Sequence, residues 1–414
     1  WARLRIAVLG ALLLTGGAVV ARRAYVLQVR RAPTLRQIAE GQYLREIRLS
    51  PLRGTIYDRH GAELAVSVEV DSVYANPRML REAGRDPLQV TRLLGQVLSI
   101  DEETISRRLS ADRLFVWIER RITPEQAARI RDLGIPGLEL TQETRRYYPN
   151  RELASHLLGF ANVDGVGIEG LELSLEETLR GSVRRVPAIR DARGRIVFSE
   201  QLLDDRGSTG DDVRLTIDKT IQHVAERELA LAVNTFEARS GSVVVMDPNT
   251  GELLAVANYP TFNPNEPGAT TASHRRNRAV TDRFEPGSTV KPFTVAAALD
   301  RGTIRSEQLI DCMNGSMQVG EDDVIHDSHP YDRLTPAQIL AFSSNIGTAQ
   351  IAGSLGRQGL YRAFRQFGFG ERTGLPIPGE TAGLLRHYRQ WYEMDAATIS
   401  FGQAMSTTTV QLAT

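Results

Sequence analysis

An uncharged apolar run near the start of the chain places the strongest constraint on its fold. Residues 6–21 contain no charged side chain, and sixteen helical residues span about 24 Å. Leu4 and residues 25–27 can extend this helix towards the roughly 30 Å of a bilayer core, with Arg22 and Arg23 at the interface. We predict a retained membrane anchor, with a cleaved signal peptide as the alternative because residues 16–18 (Gly-Gly-Ala) resemble a cleavage site.

The charges around this run leave its orientation open. Arg3 and Arg5 precede it and five arginines follow by residue 36, so the positive-inside rule does not choose a direction. The chain starts at Trp1 rather than Met, and we expect the natural N-terminus to lie upstream.

Composition excludes several classes of protein. The chain has 414 residues, 42% of them hydrophobic, which suits two or three folded domains and excludes a wholly disordered chain. Its net charge is zero, so no basic excess indicates nucleic-acid binding. The single cysteine, Cys312, cannot form an intramolecular disulfide, and we expect it to be buried rather than reactive.

Three segments follow from the patterning: an anchor and juxtamembrane segment at 1–31, a mixed Arg-rich domain at 32–212 and a third domain at 213–414. Alternation predicts a strand over 64–74, and helical periodicity predicts helices over 88–98, 103–109 and 124–133.

The third segment opens with a strand over 213–217 and a helix capped by Asp218 that runs to about Phe236. A turn at residues 247–251 then joins predicted strands over 242–246 and 252–257, and a long polar loop covers 259–277.

A serine and a lysine three residues apart carry the first chemical signal. Only two of the 50 basic residues are lysines, Lys219 and Lys291, and Lys can lose its proton where Arg cannot. Ser288 follows Pro286-Gly287 at a predicted helix start, so Lys291 lies on the same helix face and can act as its base. The alternative is a solvated lysine on a helix that Ser288 caps.

A second polar cluster follows Ser288 by 55 residues. Ser343 and Asn345 come after a predicted helix over 336–342 and lie on a loop between apolar elements. The Ser343 hydroxyl can relay a proton to or from Lys291, and the Asn345 amide can orient the amine. Taken alone, such a Ser-x-Asn sequence is usually a helix cap.

Together these motifs resemble the class B penicillin-binding proteins, most of all the division-type, FtsI-like transpeptidases. The likeness rests on four further segments in the expected order, residues 53–61 (RGTIYDRHG), 156–160 (HLLGF), 167–172 (GIEGLE) and 245–252 (VMDPNTGE). It covers almost the whole chain.

The resemblance implies an α+β protein: a transmembrane helix, an elongated mixed pedestal domain at 32–212, and a serine-transpeptidase, β-lactamase-like domain at 213–414 with helices around an antiparallel sheet. It implies a D,D-transpeptidase in which Ser288 attacks the D-Ala-D-Ala bond of a peptidoglycan stem peptide, with Lys291, Ser343 and Asn345 assisting. β-Lactams would acylate the same serine.

The resemblance further implies a single-pass protein of the inner (cytoplasmic) membrane with its catalytic domain on the periplasmic side. It implies a SEDS-type, FtsW-like glycan polymerase and other division proteins as partners, and no cofactor, metal or nucleic acid. Asp322, Asp323, Asp327, His326 and His329 could suggest a metal site, and Glu169 and Glu172 an acid pair, but polar-loop and structural roles are favoured.

One family motif has no match in its expected place. Residues 372–374 (Arg-Thr-Gly) follow Ser343 by only 29 residues, too early for the third, Lys-Thr-Gly motif. We therefore expect the transpeptidase domain to be incomplete at its C-terminal end and the fragment itself to be inactive.

Two alternatives keep the same fold. A catalytically silent scaffold or β-lactam sensor would fit the missing third motif. A hydrolase, such as a β-lactamase or carboxypeptidase, fits less well because the chain lacks an E-x-x-L-N element for deacylation.

Overall fold

The chain forms two compact units. The structure is a computed structural model that describes residues 1–32, 44–49, 52–182, 184–190, 196–197, 209–321 and 323–414. The first unit comprises residues 1–52 and 181–210, and the second comprises 53–180 and 211–414. The domain limits expected at residues 31 and 212 stay predictions.

The first unit begins with the predicted apolar helix. It spans Ala2–Tyr25 and continues through a wider π-helical turn, Val26–Arg30. Leu12, Leu13 and Leu14 are all exposed, so their apolar surface is available to lipid. In the described part of the chain, this is the one helix whose length and composition suit a membrane span, over Val8–Arg30. A retained anchor and a signal peptide would both contain such a helix.

Three short strands complete the described part of the first unit. Leu44–Leu49 pairs antiparallel with Arg184–Arg190, which in turn pairs with Ile196–Val197.

A long strand organises the first half of the second unit. Glu63–Ala75 contains the predicted strand and pairs antiparallel with Leu138–Tyr147 over ten positions. Val116–Glu119 and Ile56–Tyr57 also pair with it. The strand expected over 213–217 is wrong in extent: only Val213–Arg214 is a strand, because the parallel partner Ile56–Tyr57 is itself two residues long.

Three helices cover this sheet, and their predicted positions are confirmed. They are Pro87–Leu98, Glu102–Leu109 and Pro124–Leu133. Asp86 and Asp101 cap the first two by accepting backbone N–H groups, which the first turn of a helix otherwise leaves unpaired. Their apolar faces form one core with the sheet, including Val73, Leu94, Ile105, Ile118 and Ile130.

A buried cluster of ion pairs contacts the same sheet. The Glu172 carboxylate is fully buried and pairs with the guanidinium groups of Arg53 and Arg146, the latter at 2.6 Å. Arg53 also pairs with Glu176. Glu172 therefore has a structural role, as expected from the sequence.

The second half of the second unit opens as predicted. Asp218 caps the helix Lys219–Thr235 by accepting from the N–H groups of Thr220 and Ile221. The helix packs against an antiparallel hairpin, Gly241–Met246 and Leu253–Tyr259. A Cβ at Gly241 would lie 2.7 Å from a Leu229 methyl carbon, so this glycine permits the close approach.

Helices form most of the regular secondary structure in the remainder. Lys291–Asp300, Asn345–Gln366 and Glu393–Ser400 contribute to a core that includes Val290, Phe364 and Ile399. The α+β class is confirmed. Among the described residues, the remaining α-helices are Pro77–Glu82, Ser155–Leu158, Gly170–Ser174, Glu176–Leu179, Ala272–Arg275, Arg278–Thr281, Pro336–Phe342 and Thr409–Ala413. The remaining strands there are Phe160–Ala161, Gly167–Glu169, Ile310–Asp311, Ser316–Val319, Asp323–His326 and Arg333–Leu334.

The loop expected over 259–277 is not entirely irregular. It contains the 3₁₀ turn Pro267–Ala269 and the helix Ala272–Arg275, which polar composition alone does not reveal.

Candidate active site

Ser288 lies in a 3₁₀ turn that leads into a helix. The turn spans Gly287–Val290, and the α-helix begins at Lys291, three residues later than predicted. Pro292 explains the difference, since it has no N–H to donate to the Ser288 carbonyl in an α-helical bond. The Lys291 N–H donates to that carbonyl instead, which closes the tighter turn. The Ser288 side chain is exposed.

A second backbone segment packs against this turn and forms a hydrogen bond with it. The Gly287 N–H donates to the Gly402 carbonyl at 3.0 Å. A Cβ at Gly402 would lie 2.1 Å from the Gly287 carbonyl oxygen, and the φ of Gly402 is +85°. Only glycine meets both requirements without displacing the turn that carries Ser288.

The Lys291 ammonium lies inside the protein and contacts the second polar cluster. Its residue is only 1% exposed. Nζ donates to the Ser343 carbonyl at 2.5 Å, to Ser343 Oγ at 2.9 Å and to Asn345 Oδ1 at 2.8 Å. The structure thus brings together Lys291 and Asn345, which begin two helices, and Ser343, which ends a third.

Ser343 connects the lysine to the exposed serine. Its Oγ lies 3.0 Å from Ser288 Oγ. In the described part of the chain no hydrogen bond joins Lys291 directly to Ser288, so the path between them passes through the Ser343 hydroxyl. Ser343 has a φ of +58° as it ends the helix Pro336–Phe342. This left-handed conformation is uncommon for a residue with a Cβ, and it often marks a functional position.

Asp327 fixes the start of the helix that carries Asn345. One carboxylate oxygen accepts from the backbone N–H of Asn345 at 2.5 Å and of Ile346 at 3.1 Å. The other accepts from Ser344 Oγ at 2.6 Å, and Ser344 itself caps the helix. Four groups of this helix start are therefore satisfied by side chains.

Sequence reasoning did not find this function of Asp327. It weighed Asp327 as part of a metal site but favoured a polar loop. The set weighed was Asp322, Asp323, His326, Asp327 and His329, of which Asp322 lies outside the described residues. Within the part of the chain that the structure describes, no group of three or more His, Cys, Asp or Glu side chains could hold a metal ion. The available signal was an acidic residue upstream of a Ser-x-Asn helix start, and its pairing with that start depends on tertiary packing.

Burial changes the acid–base property of the lysine. It lowers the pKa of Lys291 to about 8, because the ammonium loses solvation, while the negative charge of Asp327 opposes this change. About a tenth of the amine is then neutral at pH 7, far more than for an unperturbed lysine.

Two other expectations can be compared with the structure. Cys312 is buried, as predicted, and burial raises the pKa of its thiol. Residues 372–374 lie outside any helix or strand, and the N–H and Oγ1 of Thr373 both donate to Glu380. This threonine already has a partner in its own loop.

Comparison with known proteins places these features in one family. Residues 241–414 match the penicillin-binding protein transpeptidase domain, and residues 48–215 match the penicillin-binding protein dimerisation domain. The fold resembles the crystal structure of a peptidoglycan synthetase from Bifidobacterium adolescentis, with a TM-score of 0.64 and 26% identity over 89% of this chain and 71% of that one.

Curated relatives give the finer assignment. The peptidoglycan D,D-transpeptidase FtsI of Escherichia coli is 36% identical over 99% of this chain and 69% of its own length. The probable peptidoglycan D,D-transpeptidase PenA of Neisseria meningitidis is 37% identical over 95% of this chain and 67% of its own length. The chain belongs to the penicillin-binding proteins, and within them to the FtsI-like class B transpeptidases. With its apolar N-terminal helix, this membership indicates a membrane-anchored protein.

Proposed function

We propose that this chain is a serine D,D-transpeptidase that crosslinks peptidoglycan stem peptides at the division septum. One observation carries the proposal: an exposed serine is joined through the Ser343 hydroxyl to a buried lysine. The activity named for FtsI and PenA agrees with this chemistry. A catalytically silent scaffold would have no need of a buried lysine whose pKa is about 8.

Acylation would begin with attack by Ser288 Oγ on the penultimate D-Ala carbonyl carbon. As the C–O bond forms, the Ser288 proton passes to Ser343 Oγ, and the Ser343 proton passes to neutral Lys291 Nζ. Collapse of the tetrahedral intermediate breaks the amide C–N bond. The leaving D-Ala nitrogen takes a proton back along the same path, so Lys291 is again neutral in the acyl-enzyme.

Crosslinking would repeat these steps with an amine as the nucleophile. An amino group from a neighbouring stem attacks the acyl-enzyme carbonyl and loses a proton to the lysine, and Ser288 regains one as it leaves. A β-lactam would acylate Ser288 through its ring amide in the first half of the same reaction.

Asn345 has a positioning role in this proposal. Its Oδ1 accepts from Lys291 Nζ at 2.8 Å, and its Nδ2 donates to the His326 carbonyl at 3.1 Å. These contacts fix which way the amide points, and the oxygen facing the amine keeps Nζ close to Ser343.

The proposal extends to the setting of the enzyme. The helix Ala2–Tyr25 would anchor it in the inner membrane, with residues 32–212 as a pedestal and residues 213–414 as the transpeptidase domain on the periplasmic side. The proposed substrate, peptidoglycan, lies on that side of the membrane. The FtsI-like family supports a SEDS-type, FtsW-like glycan polymerase as a partner, together with other division proteins.

Labelled penicillin tests the site directly. The full-length wild-type protein should form a covalent adduct, and digestion followed by mass spectrometry should locate the label on Ser288. Ser288→Ala should abolish labelling, whereas Ser306→Ala, at another exposed serine, should leave it unchanged. Labelling that survives in Ser288→Ala would refute the assignment. Crosslinked dimers from a pentapeptide-bearing glycan should disappear in the same variant.

A further inference from the structure

An arginine-rich cleft in the second unit is lined by its first half and by Pro264, Asn265 and Pro267, and the transpeptidase mechanism makes no use of it. Its volume is about 490 Å³, and its lining includes Arg120, Arg121, Arg145 and Arg146. Arg120 and Arg121 follow the strand Val116–Glu119, and Arg145 and Arg146 lie in the strand Leu138–Tyr147. Two Arg-Arg pairs, one from each of the strands that flank Glu63–Ala75, therefore line one cavity.

Two of these guanidinium groups already have acidic partners. Arg120 Nη2 pairs with Glu143 at 2.6 Å and with Asp164 at 3.3 Å. Arg146 Nε pairs with the buried Glu172 at 2.6 Å. These contacts fix the walls of the cleft.

The other two form no direct ion pair among the residues that the structure describes, although Glu143 and Asp164 act on the charge of Arg121 from nearby. Arg121 donates only to backbone carbonyls, Nη2 to Thr144 at 3.0 Å and to Val163 at 2.5 Å. Arg145 is half-buried, and no ion pair or side-chain hydrogen bond of it occurs within the described ranges. The cleft therefore carries positive charge beyond what its carboxylates balance.

Buried donors in the cleft wall are also left unpaired. Arg121 Nε and Arg146 Nη2 are inaccessible to solvent and have no hydrogen-bond partner among the described residues. Arg146 is more than nine-tenths buried. Leaving a buried donor without an acceptor is costly, and more so on a charged group, so these two guanidinium groups are held in an unfavourable environment.

The backbone at Arg121 is strained as well. Its φ is +61°, in the left-handed region that residues with a Cβ rarely adopt. Burial and the neighbouring charge of Arg120 lower the pKa of Arg121, and the carboxylates of Glu143 and Asp164 only partly oppose this change. Strain of this kind persists at positions where a side chain must point at a ligand.

We propose that this cleft binds a ligand carrying two oxyanion groups, which the guanidinium groups of Arg121 and Arg145 receive. The planar guanidinium fork matches the two oxygens of a carboxylate or a phosphate. Carboxylates of a peptide and the phosphates of a pyrophosphate share this chemistry. The proposal does not depend on the transpeptidase activity.

Calorimetric titration of the full-length protein separates the two sources. Inorganic pyrophosphate is the probe for the phosphate source, and a pentapeptide with free D-Glu and D-Ala carboxylates is the probe for the carboxylate source. Because the peptide could also enter the active site, it is titrated after Ser288 has been acylated with penicillin. We expect saturable binding of one probe at constant ionic strength, and the probe that binds identifies the source.

Arg145→Gln should weaken that binding by about 10- to 100-fold, the range expected when hydrogen bonds to a charged group are lost. Arg145→Lys keeps the charge but loses the guanidinium fork, and its affinity should be intermediate between those of the wild type and Arg145→Gln. Arg78→Gln makes the same charge change on an exposed arginine of the same unit and should leave binding and penicillin labelling unchanged.

Three results would overturn the proposal: no binding of either probe to the wild type, equal binding by Arg145→Gln, or an equal loss in Arg78→Gln. Thermal unfolding identifies any variant that fails to fold. If Arg145→Gln is one of them, Arg145→Lys decides, since equal binding by that variant would exclude bidentate recognition.

Discussion

The pKa of Lys291 leads to a quantitative prediction for the pH dependence of acylation. If neutral Lys291 accepts the proton that leaves Ser288, the second-order rate of acylation follows the neutral fraction of the amine. With a pKa of about 8, that fraction is about 0.09 at pH 7, 0.5 at pH 8 and 0.9 at pH 9. The rate should therefore rise about tenfold from pH 7 to pH 9 and flatten above pH 9.

An ordinary lysine would give a different curve. With the unperturbed pKa of 10.5, the neutral fraction rises about 100-fold over the same two pH units and does not level off. The shape of the profile thus measures how far burial has lowered the pKa. The assay is the initial rate of labelling by fluorescent penicillin in the full-length protein at constant ionic strength, with Ser288→Ala as the background.

Asp327 provides an internal check on the same profile. Its negative charge raises the pKa of Lys291 against the effect of burial. Asp327→Asn removes that charge while keeping an acceptor near the helix start, so the midpoint should move to lower pH. A rate independent of pH between 7 and 9, or a midpoint that rises in Asp327→Asn, would refute the reasoning.

Three further predictions use other parts of the structure. Lys291→Arg should abolish penicillin labelling because a guanidinium stays protonated. Lys219→Arg, at the chain's other lysine, is the control and should label at the wild-type rate. Labelling that is retained in Lys291→Arg would contradict the role of the amine as a base. Glu172→Gln leaves the buried Arg146 guanidinium without a charged partner and leaves Arg53 with Glu176 alone. Urea denaturation should therefore show a loss of about 3–5 kcal/mol in unfolding free energy, and an unchanged midpoint would disprove this. Gly402→Ala should displace the turn that carries Ser288 and slow penicillin labelling by about 100-fold. Gly353→Ala is the control, because a Cβ there meets nothing within 4 Å, and it should label at the wild-type rate.

Local signals predicted the secondary structure well where they were strong. Asp218 before an amphipathic run marked the helix Lys219–Thr235, and alternation marked the strand Glu63–Ala75. Errors arose where a neighbour sets the limits. The strand Val213–Arg214 ends where its partner ends, and the helix after Ser288 begins late because Pro292 cannot donate a hydrogen bond.

The candidate site shows a similar division. Residue type and spacing were enough to propose Ser288, Lys291, Ser343 and Asn345, since a hydroxyl nucleophile needs a base and a relay. Spacing could not show that Ser343 lies between the lysine and Ser288, because that order depends on how two helices pack. Asp327 was weighed as a metal ligand and assigned to a polar loop, and neither interpretation showed that its carboxylate holds a helix start.

The sequence by itself determined the chemistry available to this protein: an apolar segment suited to a membrane, one lysine three residues after a serine, and the ordered motifs of a penicillin-binding protein. Those properties are local, so they can be read along the chain. Tertiary structure alone decided the environment of each group. It buried Lys291 and lowered its pKa to about 8, and it gathered four arginines around one cleft. Both effects arise because charges respond to distance and solvent exposure in space, which separation along the chain does not determine.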